Sequence, residues 1–188
     1  MSKSSPLPAV LKHIDANLDA SLQRLFKLLR FKSISADPAL APECRATADH
    51  LAVEIGSLGF SAEVHATAGH PVVIAKSTPY RSELPHVLFY GHYDVQQVDP
   101  LNLWSCPPFE PAIVDHANGH KIITARGARD DKGQLMTFVE ACRAWKQSTG
   151  SLPLNITLLI EGEEEIGSRN TGSFLMQYKD DLAADVVF

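Results

Sequence analysis

Residues 86–94, HVLFYGHYD, decide how the chain is read. Val87, Leu88, Phe89 and Tyr90 form an apolar run without alternation, the pattern of an inner strand covered on both faces. The run ends at Gly91 and passes straight into His92 and Asp94. On extended backbone, residues two apart point to the same side. His92 could then ligate a metal through one ring nitrogen while Asp94 holds the ring or backs the site. A satisfied loop histidine beside a surface aspartate fits the same letters.

Working outward, apolar positions Leu11, Ile14, Leu18, Leu22, Leu25 and Leu29 recur at steps of three and four, which predicts one helix over 9–30 with a single buried stripe. The prolines of SISADPALAPE break it. A second helix is expected from Cys44 to Leu58, closed by Gly59. SAEVHAT and PVVIAKS read as strands. Residues 95–111 form a long proline-rich loop, a kind of segment that often carries function. AIVDHANGHKIIT predicts a hairpin turning at Asn118–Gly119. A helix over 132–147 follows, then a buried strand in LPLNITLLIEG, a short helix near 171–178, and the start of one more strand in ADVVF. Strands alternating with helices predict an α/β layered fold. The sequence stops inside ADVVF, and the expectation is that 1–188 belongs to a longer protein.

Composition excludes several classes. The chain has 188 residues, 45% apolar and 21% charged, with a net charge of −5. No basic block stands out, which argues against nucleic acid or an anionic membrane as partner. The longest apolar runs fall far short of the roughly 20 residues of a membrane span. The N-terminus has no continuous apolar stretch of the secretory kind. Cys44, Cys106 and Cys142 are odd in number and widely spaced, as free thiols of a cytoplasmic protein would be.

Two further polar clusters follow predicted structure. ARGARDDKG (125–133) places Asp130 and Asp131 just before a helix, where a carboxylate sits in a favourable field. Metal ligation and ordinary N-capping are both open there. EGEEEIGS (161–168) crowds four glutamates behind a buried strand. A solvated acidic loop is the bland reading. The position argues for a site, since open α/β sheets place sites at the C-terminal ends of their strands. Adjacent residues diverge on extended chain, so one of Glu164 and Glu165 could bind metal while its neighbour works as a base. One imidazole with several carboxylates and no thiolate pair suits Zn2+, Mn2+ or Co2+.

Taken together, GHYDVQQVDPLNLWSCPPFEP, RGARDDKGQL and EGEEEIGS resemble the M20 metallopeptidases, most closely their dipeptidase, carnosinase-like branch. The resemblance implies a mixed sheet flanked by helices, as in di-metal aminopeptidase-like catalytic domains. Residues 1–188 would be the N-terminal part of that domain. A lid domain used for homodimerisation and the C-terminal catalytic part would lie beyond Phe188. It implies His92 as metal ligand, Asp94 as the residue orienting it, and Asp130 as the carboxylate bridging two ions. Glu164 is implied as general base and Glu165 as the adjacent metal ligand. Two divalent ions, Zn2+ first, would bracket a bridging hydroxide that attacks a dipeptide or short-peptide carbonyl. The remaining ligands, an aspartate and a histidine, are expected downstream, so the isolated chain is expected to be a poor enzyme. The Asp130–Asp131 peptide is expected to be cis. An N-acyl amino acid deacylase on the same metal core is the alternative enzyme, and a non-catalytic fragment the alternative outside enzymes. Cys106 has no visible base to activate it as a nucleophile.

Overall fold

The computed structural model of the chain describes residues 5–188. In order, its elements are α1 (Leu7–Ala16), α2 (Leu18–Leu29), α3 (Ala41–Gly56), β1 (Phe60–His65), β2 (Val72–Ser77) and β3 (His86–His92). A hairpin of β4 (Ala112–Asp115) and β5 (Lys121–Thr124) follows, then α4 (Lys132–Thr149), β6 (Asn155–Glu161), α5 (Thr171–Gln177) and β7 (Val186–Val187). Short 3-10 turns lie at 38–40, 101–103 and 164–166.

Five strands form one mixed sheet in the order β1-β2-β6-β3-β7. β2 pairs antiparallel with both β1 and β6, while β3 runs parallel to β6 and to β7. β6 is buried along its whole length, because both of its faces are apolar and both are covered. Leu158 and Ile160 point into one layer with Leu51 and Ile55 of α3 and Leu135 and Val139 of α4. Leu159 points into the other with Phe174 of α5 and Leu182. Each fully buried leucine or isoleucine contributes about 1.5–3 kcal/mol. The layered α/β architecture expected from the sequence is therefore the one observed. The hairpin turns at Gly119 in a left-handed conformation, φ +83°, as the Asn-Gly pair predicts.

The single helix expected over 9–30 is instead two. Asn17 interrupts it, with φ −118° and its amide Nδ2 donating to the His13 carbonyl at 2.8 Å. Asparagine competes with the helix for backbone partners in this way. The stripe is broken with it: Leu11, Ile14 and Leu18 are exposed, and Val10, Leu28 and Leu29 are the buried residues. α2 is tied to α4 by Arg24 and Ser21, which both donate to Glu140.

The register of β3 on β6 sets His92 opposite Glu161. Both strands end there, side by side and pointing the same way. The loops that leave them carry GHYD and EGEEE.

Candidate active site

The end of β3 is fastened on several sides. Tyr93 is fully buried, its hydroxyl donating to the Pro71 carbonyl at 2.7 Å and its N–H to the Glu161 carbonyl at 2.9 Å. Residues 33–35 run alongside residues 93–95. The Ser33 hydroxyl donates to the Tyr93 carbonyl, the Val95 N–H donates to the Ser33 carbonyl, and Ile34 bridges Val95 in parallel. Asp94, next along the chain, has no exposed surface.

Asp94 is the hub of the site. Its Oδ2 accepts from the Ser35 hydroxyl at 2.6 Å and from the Glu165 N–H at 3.0 Å. Its Oδ1 accepts from the Glu164 N–H at 3.2 Å and stands 3.3 Å from His92 Nδ1. The Asp94 carbonyl lies 3.2 Å from the same ring nitrogen. His92 is thus gripped at Nδ1, which turns Nε2 toward Asp130 Oδ1 at 3.1 Å and Glu164 Oε2 at 3.9 Å. A neighbouring carboxylate fixing the far nitrogen is the usual way a ligating histidine is oriented.

Asp131 stands at the N-cap of α4, yet its side chain caps nothing there. Its Oδ2 accepts the His92 backbone N–H at 3.0 Å. Gly91 allows this approach, since a Cβ there would meet that oxygen at 2.9 Å. The Asp130–Asp131 peptide is cis, and the Asp130 side chain is largely exposed, facing His92. Capping is therefore the role of neither side chain. Lys132, next along, is buried and donates to the carbonyls of Leu28 and Phe31 at the end of α2. Burial pushes its ammonium down to about 7, against the pull of Cys44, Asp94 and Glu43.

The crowded glutamates divide in two. Glu161 and Glu163 are buried and saturated with donors. Glu161 accepts from Tyr90, Ser168 and Thr171 hydroxyls. Glu163 accepts from the backbone of His70 and from both the backbone and side-chain amide of Asn170. Glu164 and Glu165 give their N–H groups to Asp94 and turn their carboxylates outward. The Glu165 carboxylate accepts from Gln96 Nε2 at 2.7 Å.

Negative charge is in excess at this end of the sheet. Burial raises the Glu164 carboxyl above its ordinary value, and Glu165, Asp94 and Asp130 raise it further against the relief of His92. Burial also raises Asp131, against the His92 N–H that it accepts. For His92 burial opposes the charge, but Asp94, Asp131 and Glu164 prevail and push the imidazole up to about 9. Such a cluster suits a cation.

The donor set can be tested against a metal. Two ligands each about 2.0–2.1 Å from a tetrahedral ion stand about 3.3 Å apart. His92 Nε2 and Asp130 Oδ1, 3.1 Å apart, match that edge. Among the described residues, no three His, Cys, Asp or Glu side chains come together as a complete ligand set. Of the residues singled out from sequence, His92, Asp94, Asp130 and Glu164 converge through side chains. Glu165 joins through its backbone, its carboxylate being engaged by Gln96. Ser35, Gln96 and the backbone-holding function of Asp131 went unseen in the sequence. Gln96, two residues past Asp94 in the same extended stretch, is the one that alternation could have flagged.

The α/β layered scaffold thus carries a histidine–carboxylate cluster at the C-terminal ends of two parallel strands. Residues 88–188 match peptidase family M20/M25/M40, and the chain belongs to that family. Among the relatives it resembles is the Cys-Gly metallodipeptidase DUG1 of Saccharomyces cerevisiae, 29% identical over 180 residues, which are 88% of this chain and 36% of that one. Human carnosine dipeptidase 1 superposes with a TM-score of 0.85 at 28% identity, over 97% of this chain and 40% of that structure. An M20 family metallo-carboxypeptidase from Sulfolobus solfataricus superposes with a TM-score of 0.78 at 37% identity, over 89% and 36% respectively. The chain therefore spans about two fifths or less of the length of these relatives. No helix among the described residues is long and apolar enough to cross a membrane.

Proposed function

We propose that these residues belong to the catalytic domain of a metal-dependent dipeptidase acting on dipeptides or other short peptides. The observation that carries this is the Asp94 hub, which fixes His92 from behind and aims its Nε2 at Asp130 and Glu164. His92, Asp130 and Glu165 would hold two divalent ions, with Asp130 shared between them. Zn2+ suits one imidazole and hard carboxylates, and Mn2+ or Co2+ suits them nearly as well. Bound ions supply Lewis acidity, polarising the scissile carbonyl and acidifying water.

The remaining work falls to side chains of this chain. Asp94 keeps Nδ1 of His92 occupied, so Nε2 is the nitrogen left for ligation. Glu164 has its amide anchored to Asp94 and its carboxylate free at the mouth of the site. A raised carboxyl there suits a group that takes a proton from the attacking water and later returns it to the leaving amine. Cys44 and Cys142 are buried thiols pushed up to about 12, and neither is a candidate nucleophile. Free thiols at all three cysteines fit a reducing cytoplasm.

The test is hydrolysis of Cys-Gly and β-Ala-His with and without added Zn2+ or Mn2+, beside a panel of N-acyl amino acids, by the complete protein. Metal-dependent release of free amino acids from the dipeptides is expected. Turnover confined to the N-acyl compounds would replace dipeptidase by deacylase. For residues 1–188 alone we expect weak metal binding and slow turnover, because His92, Asp130 and Glu165 leave each ion short of ligands.

A further inference from the structure

Ser35 lies in a stretch that reads as a linker, between α2 and the turn at 38–40. In the fold it reaches the centre of the site. Its hydroxyl donates to Asp94 Oδ2 at 2.6 Å, and the serine is itself buried. Its carbonyl is in turn held by His70 Nε2 at 3.0 Å. The His70 N–H donates to Glu163, whose carboxylate also binds Asn170 of the loop after β6. Gly69 lets that loop close, because a Cβ there would overlap Glu163 Oε1. A chain of contacts thus runs from Glu163 through His70 and Ser35 to Asp94 and His92.

We propose that Ser35 is a positioning residue that fixes the rotation of the Asp94 carboxylate and, through it, the His92 ring. The proposal deepens the metal-site reading given above and rests on it for its consequence in metal affinity. The physical basis is that Asp94 is fully buried, so a lost donor is not readily replaced by water. Without Ser35, Oδ2 loses its shortest bond and keeps only the Glu165 N–H, so the carboxylate is held less tightly on that side. Ser33 provides an internal control. It is buried on the same segment and donates to the Tyr93 carbonyl, but it makes no hydrogen bond to Asp94.

The experiment compares Ser35→Ala, Ser35→Thr and Ser33→Ala with the parent, all in the complete protein, by three measurements. They are the downfield proton signal of His92 Nδ1–H in the metal-free protein at fixed pH, Zn2+ affinity by chelator competition, and the urea unfolding midpoint. Ser35→Ala should broaden or abolish the His92 signal and weaken Zn2+ binding roughly 10- to 100-fold, the range for residues that orient metal ligands. Ser35→Thr should restore both. Ser33→Ala should lower the unfolding midpoint while leaving both unchanged. If Ser35→Ala does not fold, Ser35→Cys, a weak donor, replaces it with the same expectation. An unchanged His92 signal in the Ser35 variant, an equal change in Ser33→Ala, or a folded Ser35→Thr that rescues nothing overturns the proposal. A complete parent protein with no Zn2+ affinity would count against the metal reading, and the His92 signal would still decide the role of Ser35.

Discussion

Glu140 and Glu164 are both glutamates within reach of a cationic side chain, yet their carboxyls are pushed in opposite directions. Burial would raise Glu140, but Arg24, Ser21 and Arg143 all donate to it and hold it down at about 2. Arg143 also reaches Glu54 of α3, so three helices share two arginines and two glutamates. Around Glu164 the count is different. Asp94, Asp130, Asp131 and Glu165 crowd near a single imidazole, and the buried Lys132 spends its donors on backbone carbonyls. Its carboxyl is raised, chiefly by burial. A structural cluster satisfies its charges internally. A site leaves an excess for something that arrives.

The widest separation between the two clusters should come from removing charge at each. Glu164→Gln should lower turnover by a factor of about 10^2 to 10^4, the usual worth of a positioned proton-transfer group. Metal content should stay close to that of the parent, because Glu164 is read as base and not as ligand. Measuring kcat beside metal stoichiometry in the purified protein checks both. Loss of metal with per-metal activity retained would exchange the roles of Glu164 and Glu165.

Glu140→Gln should do the reverse, leaving metal affinity and per-folded activity unchanged. Stability should fall by about 1–3 kcal/mol, less than a deeply buried pair would lose because solvent reaches part of this cluster. The acid response has a definite sign. A carboxyl held lower in the folded state stabilises it above the unfolded value of about 4.3, and that contribution is lost as pH falls toward 2. Urea midpoints between pH 6 and pH 2.5 should converge for parent and variant at the acid end. Parallel curves would mean that the Glu140 cluster stabilises nothing through its charge.

What the sequence made legible follows the same division. His92 and Asp94 stood out by strand alternation, and the pairs Asp130–Asp131 and Glu164–Glu165 by a helix start and a strand end, while the choice within each pair came from the resemblance to the M20 family. The layers could be found because β3 and β6 are apolar on both faces. Ser35 could not, since it meets Asp94 across 59 positions of chain, and no period links a serine in a linker to a strand end. The sorting of Glu161 and Glu163 from Glu164 and Glu165 was also hidden. It depends on donors from Tyr90, His70 and Asn170, two of them far away in sequence. The break at Asn17 was local and still missed, because a regular spacing of leucines outweighed one capping side chain in the reading. Leu11, Ile14 and Leu18 of that stripe are exposed, and spacing alone did not say so.

Gln96 gives the smallest and sharpest separation within the site. Its Nε2 donates to Glu165 Oε2 at 2.7 Å, and the pair is exposed. A carboxylate has about four lone-pair directions, so one bond to Gln96 leaves Glu165 able to accept a second partner. The bond orients the carboxylate without using it up. Gln96→Ala should therefore weaken Zn2+ binding by no more than about tenfold, the low end of the range for residues that orient metal ligands, since water can replace an exposed donor. It should leave the His92 Nδ1 proton signal untouched, because Gln96 does not contact Asp94. Chelator competition on parent and variant measures the first effect, and the imidazole proton spectrum the second. Tighter Zn2+ binding in Gln96→Ala would show that the amide competes with the metal for Glu165, and that this carboxylate is held closed until Gln96 moves away.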